Sequence, residues 1–179
     1  MTPEKSYELL DKYIENPNLK KHCYCVETCM KFYANKLGED EVRWGMAGLL
    51  HDLDWEKFPD THPNTSVPIL EEAGFDKEFI DTILSHAYPE RTNVPRETAF
   101  AKYLFACDEI TGFVTAYSLM KPGRFNDVEP KGVIKKMKDK AFARAVNRDD
   151  IIKGAEEIGL ELNIHIQNII EALKTDTRL

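Results

Sequence analysis

The sequence predicts an all-α fold, and three observations lead to this prediction. Apolar residues recur at helical spacing over most of the chain, and no alternating strand pattern of useful length interrupts them. A length of 179 residues suits one well-buried domain and is short for two. No internal repeat or low-complexity segment appears. We therefore expect one compact domain over residues 1–179, a bundle of about eight helices.

Three helices are predicted in the N-terminal part of the chain, where each run of helical periodicity is bounded by residues that start or stop helices. They run from Pro3 to near Asn16, from Asn18 to about Leu37, and from about Asp40 to the pair His51-Asp52. His22 lies in the first turns of the second helix. The far end of the third helix, Leu49-Leu50, is too apolar to be exposed. The imidazole and carboxylate that follow it are therefore expected near the core.

The middle of the chain again combines apolar helices with isolated polar residues. It predicts a polar loop over 54–68, short helices over 67–73 and 76–84, a second loop over 89–97 and a long helix from 98 to 119. His62 lies in the first loop, and His86 follows the second short helix. Asp108 lies inside the long helix on nearly the same face as Leu104, so its carboxylate points into the core or lies at its edge.

The C-terminal part of the chain predicts a loop followed by three helices. The loop covers 121–130, two weaker helices lie near 131–138 and 149–158, and a clear last helix covers 161–173. His165 falls between Ile164 and Ile166 on the last helix. We expect it to be a packed or partly exposed side chain and not a metal ligand.

Composition and charge argue against several classes of protein. The formal net charge of -7 argues against broad binding of nucleic-acid backbones, which usually requires a basic stripe. No apolar run is long enough to span a membrane, and the N-terminus lacks the apolar core of a signal peptide. We therefore expect a cytoplasmic protein with no membrane or nucleic-acid partner. The four cysteines, which we expect to be free thiols, are Cys23, Cys25, Cys29 and Cys107.

Six polar side chains end or interrupt the apolar helices, and together they have the chemistry of a metal site. They are His22, His51, Asp52, His62, His86 and Asp108. A buried charge without a partner is costly, and a divalent cation would supply the partner. Neutral imidazole nitrogens and carboxylate oxygens together suit Mn, Fe, Co, Ni or Zn better than Ca.

In order and type, these residues resemble the HD-domain superfamily of metal-dependent phosphohydrolases. The signature of that superfamily is a histidine, a His-Asp pair and a distant aspartate, which correspond here to His22, His51-Asp52 and Asp108. The resemblance covers an HD core of about residues 18–115 and leaves a C-terminal helical extension of about 130–176 outside it. It implies an HD-domain-like helical bundle with extra C-terminal helices.

The resemblance also implies which residues hold a divalent metal ion, which could be Mn, Fe, Co, Ni, Zn or Mg. The ligands of a first ion would be His22, His51 and Asp108. Asp52 would bind the same ion or bridge to a second. His62 and His86 resemble the two extra histidines of two-metal HD proteins such as the HD-GYP phosphodiesterases, so a second ion is suggested. The GYP tripeptide is absent, which weighs against a cyclic-dinucleotide substrate.

The function that the resemblance implies is hydrolysis of a small phosphoester by metal-activated water, with a nucleotide as the favoured substrate. Asp52 and Asp54 are then candidate catalytic residues, and Glu56 is a further candidate proton carrier. Lys57 and Arg91 lie in the two loops that should face the site and are candidate phosphate contacts. The choice between monoester and diester, and the oligomeric state, stay open.

Two alternatives stay open at the level of the sequence. One is an HD-like module that binds metal or a nucleotide and catalyses nothing. The other is a zinc or redox site built from His22, Cys25 and Cys29, which fall on one face of one helix. This second alternative is disfavoured because one helix face supplies three ligands poorly and because no CxxC motif occurs.

Overall fold

The structure, a computed structural model, describes residues 2–179 and is built from helices. Within that range it has nine α-helices, one 3-10 helix and no β-strand, which confirms the all-α fold. The nine α-helices correspond to the nine segments predicted above, one more than the rounded expectation of about eight. The α-helices are α1 (Pro3–Tyr13), α2 (Pro17–Leu37), α3 (Glu41–Leu50), α4 (Ser66–Glu72), α5 (Lys77–Ser85), α6 (Ala99–Ser118), α7 (Pro130–Met137), α8 (Arg148–Glu157) and α9 (Leu162–Lys174). The 3-10 helix is Arg124–Asp127. Among these helices, none is both long and apolar enough to cross a membrane.

Capping residues account for the ends of the helices that build the site. The side chains of Asn16, Asp40 and Thr98 each accept hydrogen bonds from backbone N–H groups in the first turn of α2, α3 and α6, respectively. These caps satisfy donors that a helix leaves unpaired at its start. At the other end of α2, Gly38 has a φ of 74°, a left-handed conformation that glycine adopts without strain. The three helices therefore begin close to where the sequence predicts.

The central helix α2 packs against both α3 and α6. Its approach to α3 depends on Gly48, because a Cβ at that position would lie 2.8 Å from both Val26 O and Glu27 N of the α2 backbone. Backbone atoms in a packed core have little room to move, so the close approach requires glycine. This contact brings the end of α3, which carries His51, next to the part of α2 that carries His22.

One apolar core is shared by the N-terminal and C-terminal helices. Its fully buried residues include Leu10, Met30, Leu50, Phe113 and Ile169, and burying a side chain of this size contributes about 1.5–3 kcal/mol. The C-terminal helix α8 lies so close to α6 that a Cβ on Gly154 would be 2.8 Å from Ala106 Cα. The region outside the predicted HD core is thus packed directly on the helix that carries Asp108.

His165 is a buried residue of the core, in agreement with the prediction that it packs. The Tyr33 hydroxyl donates to its Nδ1 at 2.6 Å, and its Nε2 donates to Ala106 O at 2.9 Å. Burial lowers the pKa of His165 to about 4, so the ring is neutral at pH 7. The histidine therefore ties α9 to both α2 and α6 through hydrogen bonds.

Candidate metal centre

The structure brings all six predicted ligands to one place, although they come from separate parts of the chain. His51 is the C-cap residue of α3 and is followed by Asp52, and His86 is the C-cap residue of α5. His22 lies on α2 and Asp108 on α6, while the loop after α3 supplies His62. Each helix buries its apolar side in the shared core, and its polar residue is thereby delivered to the same edge of that core.

One group of three side chains consists of His22, His51 and Asp108. The two Nε2 atoms lie 3.1 Å apart, and Asp108 Oδ1 is 3.0 Å from His22 Nε2 and 3.5 Å from His51 Nε2. One nitrogen or oxygen from each residue therefore converges on a common point, close enough for one ion to contact all three. This is the set predicted for a first metal.

A second group consists of Asp52, His62 and His86. The two Nε2 atoms are again 3.1 Å apart, and Asp52 Oδ1 lies 3.5 Å from His62 Nε2 and 3.9 Å from His86 Nε2. The other oxygen of the same carboxylate, Asp52 Oδ2, lies 3.4 Å from His51 Nε2. Asp52 thus directs one oxygen to each group, which is the arrangement that a bridging carboxylate needs.

The hydrogen bonds of Nδ1, the ring nitrogen that faces away from the cluster, indicate the tautomer of three of the histidines. His51 Nδ1 and His86 Nδ1 each donate to the backbone carbonyl three residues earlier, and His62 Nδ1 donates to Asp54 Oδ1 at 2.7 Å. A carbonyl or carboxylate oxygen accepts, so each ring carries a proton on Nδ1, and whenever the ring is neutral the lone pair of Nε2 is the one directed inward. Lone pairs and carboxylate oxygens then face one another in both groups. A donor set of this kind fits a divalent cation.

The charges in the cluster shift its pKa values in opposite directions. Burial by itself lowers the pKa of His51, but the adjacent carboxylates of Asp52 and Asp108 raise it well above its usual range. Burial opposes ionisation of Asp108, yet the charge on His51 and hydrogen bonds from the histidines hold its pKa well below its usual range. For His86, burial and the charge on His51 act together and lower the pKa to about 4. The cluster keeps its carboxylates ionised and so favours a bound positive charge.

The cluster lines a cleft of about 430 Å³, and Trp55 and Arg91 are also part of its wall. The guanidinium carbon of Arg91 lies 5.3 Å from the centre of the Trp55 ring, and Arg91 Nη1 donates to Pro59 O at 2.7 Å. Of the described residues that line this cleft, Arg91 is the one lysine or arginine. Its role as a phosphate contact stays a prediction.

The sequence analysis missed the polar groups that line the rest of the cleft. They are Glu90, Glu109, Asn147 and Asp150. Asn147 N donates to Glu109 Oε2 at 3.1 Å, and burial together with the charge of Asp108 raises the pKa of Glu109 to about 8. Only Glu109 had a signal in the sequence, since it follows Asp108 directly. Asn147 and Asp150 come from the start of α8, and their place in the cleft depends on the tertiary contact between α8 and α6.

Asp54 does not lie where a catalytic residue would, so this prediction needs correction. Its side chain is fully buried and does not line the cleft. Oδ1 accepts from His62 Nδ1, and Oδ2 accepts from Ser66 N at 2.9 Å. With both oxygens engaged away from the cleft, Asp54 holds His62 and cannot pass a proton to a substrate. The neighbouring candidate Glu56 accepts from backbone N–H groups between α1 and α2 and also lies elsewhere.

Lys57 is also outside the cleft, which contradicts its predicted role in binding phosphate. Its Nζ donates to Lys12 O at 2.8 Å and lies 5.3 Å from the centre of the Tyr13 ring. The chain continues after Asp52 in tight turns, so successive side chains point in different directions and Lys57 turns back towards α1. The lysine stabilises the end of α1 instead.

The alternative site of His22, Cys25 and Cys29 is not formed. Of the metal-capable groups that residues 2–179 contain, neither includes a cysteine. Cys25 Sγ lies 3.5 Å from Thr115 Oγ1, and Cys29 is fully buried among apolar residues. Burial raises the pKa of both thiols, and all four cysteines are free, as expected. His22 directs its ring to Asp108 and not to these thiols.

Comparison with known proteins gives one clear result. A family model described as HD domain matches residues 19–112 of the sequence, close to the predicted core of about 18–115. Among curated proteins and among solved structures, none matches the sequence. The matched segment covers more than half of the chain and contains all six side chains of the two groups. The chain therefore belongs to the HD-domain family, the superfamily of metal-dependent phosphohydrolases.

Proposed function

We propose that this protein is a metal-dependent phosphohydrolase that cleaves a small phosphoester, with a nucleotide as the favoured substrate. The observation that carries the proposal is the pair of three-residue groups that open onto one cleft, with Asp52 of the second group directing its other oxygen to the first. An HD-domain protein that had lost its activity would have no need to keep both groups complete. The cleft is also large enough for a small ligand.

Each residue group supplies three ligands, which is fewer than a divalent cation accepts. His22, His51 and Asp108 would hold one ion, and His62 and His86 would hold a second beside it, with Asp52 between them. Coordination positions then remain for water and for an oxygen of the substrate. A divalent cation bound here would lower the pKa of water towards neutrality and offset negative charge on the phosphoryl oxygens.

The remaining walls favour a small substrate with few negative charges. Arg91 is the cation that can pair with a phosphate oxygen outside the metal cluster. Glu90 and Asp150 line the same cleft and disfavour long polyanions, while all the carboxyl groups of the wall, Glu109 included, can form hydrogen bonds with hydroxyl or amino groups. Trp55, which is 40% exposed, offers an aromatic surface beside the ligands. A nucleoside monophosphate combines one phosphate with a sugar and an aromatic base, and so suits these walls.

A screen of phosphomonoesters and phosphodiesters with Mn, Co, Ni and Mg added separately tests the proposal. We expect hydrolysis by the native protein and a loss of turnover of several orders of magnitude in Asp52→Ala, with the helical circular dichroism retained. Asp60→Ala is the matched control, because Asp60 is an exposed carboxylate in the same loop and lies outside the cleft. If the metal-loaded native protein hydrolyses none of these compounds, the alternative of a non-catalytic binding module takes its place.

A further inference from the structure

Three of the four histidines in the cluster have a hydrogen-bond partner at Nδ1, and these three are held in two different ways. His51 and His86 rest on backbone carbonyls of their own helices, which are neutral acceptors. His62 has no helix behind it and rests on the carboxylate of Asp54. Among these three histidines, His62 is therefore the one whose Nδ1 is held by a carboxylate side chain and not by a backbone carbonyl.

Asp54 is an unusual residue in its own right. It is 0% exposed, and within the described chain no lysine or arginine nitrogen lies within 4.0 Å of its carboxylate. Its partners are the His62 ring and the backbone N–H of Ser66. A carboxyl group buried without a lysine or arginine partner is uncommon, and here each oxygen is satisfied by an N–H donor.

We propose that Asp54 is a positioning residue that gives the second group, Asp52, His62 and His86, its affinity for a divalent cation. It acts through His62, because its oxygen accepts the Nδ1 proton and leaves the lone pair on Nε2 facing Asp52. A carboxylate partner also makes an imidazole a stronger ligand and fixes the plane of its ring. The inference rests on the part of the proposed function that assigns metal ions to the six ligands. It does not depend on hydrolysis.

The substitution Asp54→Asn separates the two groups. An asparagine amide has one acceptor oxygen, whereas the native carboxylate accepts from both His62 Nδ1 and Ser66 N. If the amide oxygen pairs with Ser66 N, the amide nitrogen faces His62 Nδ1, and the ring is driven to the tautomer with its proton on Nε2. That tautomer has no lone pair on Nε2, the nitrogen that faces Asp52 and His86. His51 keeps its carbonyl partner, so the first group is left intact.

The experiment measures Mn and Co binding by titration calorimetry and elemental analysis of native protein and of Asp54→Asn. We expect about two ions per native chain and, in the variant, a second ion bound about 10–100-fold more weakly with the first retained. Asp60→Asn, a change of an exposed carboxylate in the same loop, should bind as the native protein does. Two ions with unchanged affinity in Asp54→Asn, or one ion in the native protein, would overturn the inference.

Thermal unfolding with and without metal distinguishes positioning from a merely structural role. A ligand that binds the folded state alone raises its stability according to its concentration and affinity. Positioning predicts that the rise in Tm on adding metal is smaller in Asp54→Asn than in native protein. An equal rise, with both Tm values lowered by the same amount, shows that Asp54 acts on the fold alone.

A measurement on the native protein covers the case in which Asp54→Asn does not fold. Long-range proton–nitrogen NMR spectra of the metal-free protein report which nitrogen of each imidazole is protonated. We expect His62 to carry its proton on Nδ1, and a proton on Nε2 would refute the inference. Failure of every phosphoester assay, with these metal and NMR results as expected, would instead refute the proposed function and leave the role of Asp54 standing.

Discussion

Gly48 allows a direct test of how the fold builds the metal centre. In Gly48→Ala, the added methyl group would meet Val26 C, Val26 O and Glu27 N, each at 2.8 Å and each a backbone atom. The two helices must separate to accept it, since α2 cannot move a single side chain out of the way. His51, three residues further along α3, would then move away from His22.

The cost of this substitution follows from two opposing effects. Inserting a methyl group into a well-packed contact costs about 1–3 kcal/mol. Alanine is a better helix former than glycine by up to about 1 kcal/mol, which offsets part of that cost. We expect a net loss of about 1–2 kcal/mol, which corresponds to a fall in Tm of about 2–8 °C for a domain of this size.

Gly45→Ala is a matched control in the same helix, one turn earlier. Its methyl group would meet only atoms of the Lys31 side chain, which is flexible and half-exposed and can turn aside. We expect Gly45→Ala to be neutral or slightly stabilising and to bind metal as native protein does. Thermal unfolding and metal titration of both variants provide the assay. Equal stability and equal metal affinity in Gly48→Ala and Gly45→Ala would show that the close approach of α3 to α2 is not what assembles the ligands.

Two further predictions concern the other histidines. His86→Ala should reduce binding by about one ion per chain, as measured by elemental analysis, because two ligands hold a metal poorly; an unchanged metal content with a raised Michaelis constant would indicate that His86 contacts the substrate instead. For His165, the folded-state pKa of about 4 lies below the ordinary histidine value of 6.5, so the unfolded state takes up the proton first. Native protein should therefore lose up to about 3 kcal/mol of stability relative to His165→Gln as the pH falls from 6.5 to 4, and none above pH 7. Parallel urea-unfolding curves for the two proteins at pH 7 and pH 5 would contradict the assigned burial of a neutral ring.

The ligands could be predicted from sequence because each one leaves a local signal. His51 and His86 end apolar helices, and Asp108 interrupts one, so each violates the pattern of its own segment. Such a violation can be seen without knowing what the segment packs against. The all-α fold was predictable for the same reason, since helical periodicity is a property of each segment alone.

The roles of Asp54 and Lys57 were not predictable, because no periodicity governs the direction of side chains in the turns after α3. The two residues lie on either side of Trp55 in sequence, yet Asp54 points into the core and Lys57 points to α1. The position of Asp150 in the wall of the cleft could not be predicted from the sequence for another reason. It reaches the cleft only because α8 packs on α6 at Gly154, and the partner residue Ala106 lies far away in sequence.

Because α8 packs against α6, two separate stretches of the chain line one cleft. The ligands all come from residues 19–112, and Asn147 and Asp150 on the facing wall come from beyond them. A mutation in the second stretch can reshape what fits into the cleft while every metal ligand keeps its place. Under the proposed function, the C-terminal helices would therefore set which ligand fits the cleft, while the candidate metal ligands on the other helices would set the chemistry.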